Sequence, residues 1–251
     1  MKRFLQLLKL EYDGMFLPLG IILGAMAVLQ LVLFGWRLRA ADAHAPLSYV
    51  IDTAGIYIVF AIAFAGILAL TAARLIRNFM PSKSIYALLS LPIKRGHVYL
   101  AKLAATLLAG FMLLAAQMAL LLAFSALMGM RSTDNIGFEV SRRNADLYLS
   151  LLDVSFLRML FPPNLFSLMF SVFGYFGSVC VALYATVGFK AGRRNDTVFI
   201  AIFWLALMFF TFPLYGYSGA SSLIKLIIMI VVILVACRKG RRLFESGEVA
   251  G

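Results

Sequence analysis

The residues of this chain best placed to do chemistry are Ser84-Ile85-Tyr86-Ala87-Leu88-Leu89-Ser90-Leu91-Pro92-Ile93-Lys94-Arg95, and that chemistry is recognition. The segment reads as a short apolar helix, stopped by Pro92 and followed by two cations. It lies between two hydrophobic runs that are each long enough to cross a bilayer. A tight turn would suffice to connect those runs. A helix bearing Leu and Tyr there instead suits a surface that grips a soluble partner, since an apolar anchor inside a charged rim is how interfaces gain affinity. The bland alternative is a plain interfacial helix.

Catalytic chemistry finds no support in the sequence. A phosphate-binding G-x-x-x-x-G-K-[ST] loop is missing, and so are H-E-x-x-H and G-x-S-x-G. The two histidines, His44 and His97, are expected in loops on opposite faces, where they could not share a zinc ion. The chain is therefore expected not to be an enzyme, and to hold no cofactor or metal of its own. No Asp or Glu falls in the middle of an apolar run, so the carboxylates of an ion-coupled pump are not in evidence. Lys225 falls near the outer interface, where it can snorkel.

The elements that must position the recognition segment follow from composition. Of 251 residues, 63% are hydrophobic and 14% charged, and the mean hydropathy is +0.95. Soluble domains run roughly 45–50% apolar and about 25% charged. Lipid must be the solvent for most of this chain, and the expected class is an all-α integral membrane protein with six transmembrane helices. A crossing needs about 20 helical residues. Six runs qualify or nearly do: 15–36, 53–73, 98–128, 165–189, 198–215 and 221–237. They lack the alternation of barrel strands. The last two are short and joined by Gly216-Tyr217-Ser218-Gly219, so they read as two spans or a tilted re-entrant pair. The basic end of the chain favours two.

Cations set the orientation. With the N-terminus inside, sixteen of the 23 Lys and Arg fall on inner segments and six on outer ones. Both termini and the 81–95 helix are then cytoplasmic. The formal charge of +12 sits almost wholly on the inner face, where it suits anionic headgroups rather than nucleic acid. Cys180 and Cys237 fall inside spans and read as small packing residues, with no disulfide framework or metal site to build from them. The first apolar run is too long for a signal sequence and reads as retained.

Residues 1–13 put Lys2, Gln6, Lys9 and Asp13 on one helical face and Phe4, Leu5, Leu8 and Tyr12 on the other. They predict an interfacial helix ahead of the first span. The outer loop 129–164 turns amphipathic over Asn144 to Phe161, with Leu147, Leu151, Val154 and Arg158 at helical spacing until Pro162-Pro163. Gly174, Ser178 and Ala182, like Ala101, Ala105 and Ala109, stand four apart. Such rows serve a dimer seam or packing within one subunit. Aromatics cluster in the fourth and fifth spans. Most suit lipid or the outer belt, while Phe166, Phe170, Phe173, Phe203 and Phe210 could line a cavity for a hydrophobic substrate.

Together these pieces resemble the permease subunit of an ABC-2 type exporter. Leu88-Leu89-Ser90-Leu91-Pro92-Ile93-Lys94-Arg95, continuing to Lys102, is similar to that family's "LP-(I/V)-(S/T/K)-R…K" stretch. Leu7-Leu8-Lys9-Leu10-Glu11 resembles its "LLK-x-E" opening. The resemblance implies that 81–95 is a coupling helix docking in a cleft of a separate ATP-binding subunit. Ser84, Tyr86, Leu88, Leu91 and Pro92 would fill the cleft, with Lys94 and Arg95 at its rim. Arg193 and Arg194, in the loop 190–195, would make a second contact. ATP and Mg would be bound by that partner. A second permease copy, identical or related, would complete the transporter, in what is expected to be a bacterial plasma membrane.

The absence of room for a re-entrant element between spans five and six departs from many members of that family. Compact permeases of this size look more like exporters of bacteriocins or amphipathic toxin peptides than of lipid or glycan. The expected function is export of an amphipathic or hydrophobic substrate, with peptide favoured. The rival readings are a non-transporting membrane sensor or immunity protein, and an ABC-2 exporter of lipid or glycan. The orientation has a direct check. Above the parent chain's background, cysteines introduced at Ser84 and Ser246 should react only with membrane-permeant thiol reagents in intact cells, and one at Thr133 with impermeant ones. Labelling of position 84 from outside would overturn the reading.

Overall fold

The computed structural model describes residues 2–41, 45–79, 95–131, 147–162, 164–211 and 220–246. Among them every regular element is helical: α1 (Lys2–Ala40), α2 (Leu47–Thr53), α3 (Ile56–Phe79), α4 (Arg95–Arg131), a stretch over 147–153, α5 (Ser155–Leu160), α6 (Leu165–Lys190), α7 (Arg194–Thr211) and α8 (Ala220–Ser246). Four of these, α1, α3, α4 and α6, are long and apolar enough to cross a membrane. Their outward faces are apolar, with Leu17 at 72% and Trp36 at 71% exposure, as helices solvated by lipid require.

α1 differs from expectation. Residues 1–13 are not set off from the first span; one helix of 39 residues runs through Gly14 and Pro18. At 1.5 Å per residue it is about 58 Å long, nearly twice a hydrocarbon core of about 30 Å. A single glycine costs a helix only about 1 kcal/mol, too little to break one whose neighbours hold it on both sides. The buried stripe also differs. It runs through Leu7, Glu11, Met15, Leu19, Met26, Gln30 and Phe34, at spacings of four or seven, rather than along Leu5, Leu8 and Tyr12.

The chain divides into two compact units. One comprises Met1–Pro18, Ile67–Ala109 and Val172–Gly251, the other Leu19–Gly66 and Gly110–Ser171. In the second unit, the buried Gln30 of α1 donates to Gln117 Oε1 of α4 at 2.9 Å, and one turn on Phe34 stacks on Phe124 with ring centroids 4.2 Å apart. Gly55, at φ +66°, makes the left-handed step that separates α2 from α3, so the second long helix starts at Ile56 rather than at Thr53. Phe60 meets Phe156 edge-on at 5.2 Å, and Ser171 Oγ donates to the Met159 carbonyl at 2.5 Å.

The amphipathic stretch 144–161 is not one helix. Val154 is extended (φ −76°, ψ 115°) between 147–153 and α5. Ser150, Val154 and Leu157 are the buried positions, whereas the sequence spacing sets the stripe along Leu147, Leu151, Val154 and Arg158. Residues 129–131 continue α4 instead of beginning the loop.

In the first unit the small-residue rows are consumed by the chain itself. Ala101, Ala105 and Ala109 are buried. A Cβ on Gly177 would overlap the Trp204 ring, whose Nε1 donates to Ser178 Oγ at 3.1 Å. Gly174 faces Met208 of α7 and Met229 of α8. The spacing that could have made a dimer seam at Gly174 and Ser178 therefore seats α7 against α6. Lys239 near the end of α8 lies 3.8 Å from Asp196 at the start of α7, an exposed pair that the antiparallel course of the two helices brings together.

Candidate functional site

The first unit buries a pair of opposite charges. Lys102 Nζ lies 2.6 Å from Glu11 Oε1, with residue exposures of 6% and 7%. Val98, Tyr99, Ala101 and Leu103 surround Lys102 in sequence, while Glu11 lies between Lys9 and Asp13 but shares its buried helical face with Leu7 and Met15. The helical turn carries both polar heads inward, where bulk water cannot solvate them. An ion removed from water costs several kcal/mol, so neither charge is tolerable there without the other. The expectation of no buried charge in the chain is thus corrected.

A second cation joins them. Arg74 of α3 donates from Nη1 to the Glu11 carbonyl oxygen at 2.9 Å. Its guanidinium lies against α1 at Gly14, where a Cβ would overlap it. The glycine therefore serves close approach here. One turn along α4 from Lys102, Thr106 donates to the Lys102 carbonyl at 2.9 Å and to Thr71 Oγ1 of α3 at 3.3 Å. Tyr175 of α6 donates to the Leu107 carbonyl at 3.2 Å. A polar seam thus links α1, α3, α4 and α6 through side chains, each with a stated partner.

The placement of this seam gives it meaning. α3 leaves it for Phe79, and α4 returns to it from Arg95. These are the two helices that bracket residues 80–94, and both are tied to α1 by charge. At the same end of α4, His97 meets Phe4 edge-on, with centroids 6.4 Å apart. His97 belongs to a helix, not to a loop as expected, while His44 lies outside the described residues.

The docking residues Ser84, Tyr86, Leu88, Leu91, Pro92 and Lys94 lie outside the described residues. Arg95 opens α4, but its side chain is not described. Arg193 and Arg194 are exposed at the α6–α7 turn, where Gly192 at φ +73° reverses the chain. Three of the five phenylalanines have described side chains. Phe203 faces out, 42% exposed and stacked on Phe199, Phe170 is buried, and Phe173 is half-buried. The side chains of Phe166 and Phe210 lie outside the described residues.

Sequence reasoning placed Glu11 and Lys102 in two separate motifs and counted each as a surface charge. A usable signal was there for Lys102, a lone charge flanked by apolar neighbours on a helix, but Glu11 lies between Lys9 and Asp13 and carries no such mark. Lys102→Met, by stranding the carboxylate, should destabilise the protein in detergent by about 3–5 kcal/mol. Glu11→Gln with Lys102→Met should recover most of that loss. A double-mutant cycle on thermal unfolding, with Glu11→Gln as the second single variant, checks the pairing; a loss in the double variant equal to the sum of the two single losses would show no coupling.

Residues 8–188 match the family described as ABC-2 family transporter protein, a stretch that includes Glu11, Arg74 and Lys102. No curated protein and no solved structure matches the chain significantly.

Proposed function

Because the chain belongs to the ABC-2 transporter protein family, we propose that it is the transmembrane subunit of an ATP-driven exporter. In this reading α7 and α8 join α1, α3, α4 and α6 as membrane crossings, giving six. The 81–95 segment and both termini face the cytoplasm, on the side where the cations concentrate. A separate ATP-binding subunit docks on Ser84, Tyr86, Leu88, Leu91 and Pro92, with Lys94 and Arg95 at the rim and Arg193 and Arg194 beside it. That subunit binds ATP and Mg. Two permease copies enclose the path of the substrate.

The observation that carries the proposal is the buried charge seam. A push on the connection between α3 and α4 reaches two helices held to α1 by Arg74 and by Lys102. Groups joined this way shift together, because separating them strands a charge. ATP-driven closure of the partner subunits would thereby become movement of three helices.

The favoured cargo is an amphipathic or hydrophobic peptide. The outward-facing Phe199 and Phe203 of α7 support it, and the Glu11 carboxylate, the one acid at the charge seam, is already paired with Lys102. In a reconstituted complex, ATP hydrolysis should respond to amphipathic helical peptides more than to sugars or nucleotides. An equal response to all three classes would remove the peptide assignment.

Docking is tested by pull-down of the ATP-binding subunit. Truncating a central interface anchor typically costs about 2 kcal/mol, a factor of roughly 30 in affinity. Tyr86→Ala with Leu88→Ala should release the partner while the permease still inserts in the membrane. Lys94→Ala should cost far less, because rim charges are screened. Full retention of binding and transport in the double variant would make this segment a membrane anchor only. A permease that brings down no ATP-binding subunit at all would point to the sensor reading.

A further inference from the structure

Two thiols that stand 57 residues apart in the chain meet in the first unit. Cys180 is fully buried in α6 and Cys237 half-buried in α8, and their Sγ atoms are 3.1 Å apart. The sulfurs of a disulfide are about 2.05 Å apart, so closure needs only about 1 Å of approach. The neighbouring turn of α8 is held in place: at Gly240 a Cβ would meet Tyr99 Oη of α4 at 2.6 Å, so the buried tyrosine occupies the space that the glycine leaves. Neither cysteine belongs to the charge seam, and the packing role expected of them does not require the two sulfurs to touch.

We propose that Cys180 and Cys237 form an oxidisable dithiol, a modification site at which a peroxide closes an intramolecular disulfide that pins α6 to α8. Cys237 is the more exposed and reacts first. Its thiolate attacks the O–O bond, one oxygen becomes the sulfenic acid, and the other leaves as hydroxide or alkoxide and takes up a proton. The Cys180 sulfur then attacks the sulfenic sulfur. The S–S bond forms, and the sulfenic oxygen leaves as water with the Cys180 proton. Two thiols have lost two electrons and two protons, and one peroxide has been reduced. A small-molecule thiol reverses the step by exchange. In a reducing compartment such a pair rests as thiols, and its disulfide is transient.

The test uses the purified full-length chain in detergent, with a chelator present, treated with hydrogen peroxide. Mass spectrometry of the unreduced digest should find the peptides of Cys180 and Cys237 joined and short of two hydrogens. The chain should remain monomeric on a non-reducing gel, and dithiothreitol should restore both thiols. Oxidation should raise the thermal midpoint of the parent chain by several degrees, and of neither Cys180→Ser nor Cys237→Ser. In Cys180→Ser the sulfenic acid on Cys237 should persist long enough to be trapped by a dione reagent. Both thiols remaining alkylatable after peroxide would overturn the proposal, as would cross-links formed only between two copies of the chain.

Discussion

A carboxylate and an ammonium withdrawn from water must find each other or remain uncharged, and that requirement organises one end of this protein. Glu11 and Lys102 are 91 residues apart in the chain and 2.6 Å apart in space. No other pairing in the first unit joins full charges at comparable burial among the described residues. Around it the weaker contacts fall into order. Arg74 can lie on α1 because Gly14 has no side chain, Thr71 and Thr106 meet because α3 and α4 are already held, and Tyr175 brings in α6. Hydrogen bonds between membrane helices contribute on average about 0.6 kcal/mol each. The ion pair differs in kind, since its loss is counted in desolvation rather than in a missing contact.

Lipid imposes the second constraint. Backbone polar groups have no water to turn to in the hydrocarbon, so a helix once begun continues until it reaches the headgroups. This accounts for the apolar stretch of each long helix, about 20 residues, while the remainder of α1 and of α4 extends past the hydrocarbon and is held by contacts within the chain. The short, irregular pieces, with the extended Val154 and the left-handed Gly55 and Gly192, occur where long helices connect. The family assignment fits this picture of long, membrane-crossing helices.

The helices were legible in the sequence because their signals are local. α6 begins at Leu165 behind Pro162-Pro163 and ends at Lys190 before the Gly192 turn, close to the expected 165–189. The membrane class followed from composition alone. The site was legible only in halves. Glu11 and Lys102 both appeared in the motifs, but a periodic pattern says which face a residue occupies and nothing of which distant face it meets. The same limit hid Cys180 against Cys237 and Gln30 against Gln117. The break at Val154 escaped for a different reason: apolar spacing across 147–158 is compatible with one helix, and so is the burial of Ser150, Val154 and Leu157 at spacings of four and three.

The glycines divide this molecule into regions of unequal evolutionary freedom. At Gly14, Gly96, Gly177, Gly188 and Gly240 another side chain already occupies the space a methyl group would enter. At Gly20, Gly24 and Gly35, farther along α1, nothing stands within 4 Å. Drift can therefore repaint the lipid-facing surface of α1 at those three positions with little consequence for packing inside the chain. The constraint is tightest at Gly177, Gly188 and Gly240, where alanine would push on Trp204, Thr197 or Tyr99, and looser at Gly14 and Gly96, where the far end of a long Arg74 or Glu245 side chain can shift. Homologues that diverge widely in hydrophobic detail along the first helix would still share that inner lattice of glycines, and it is there, rather than in the greasy majority of the chain, that ancestry stays readable longest.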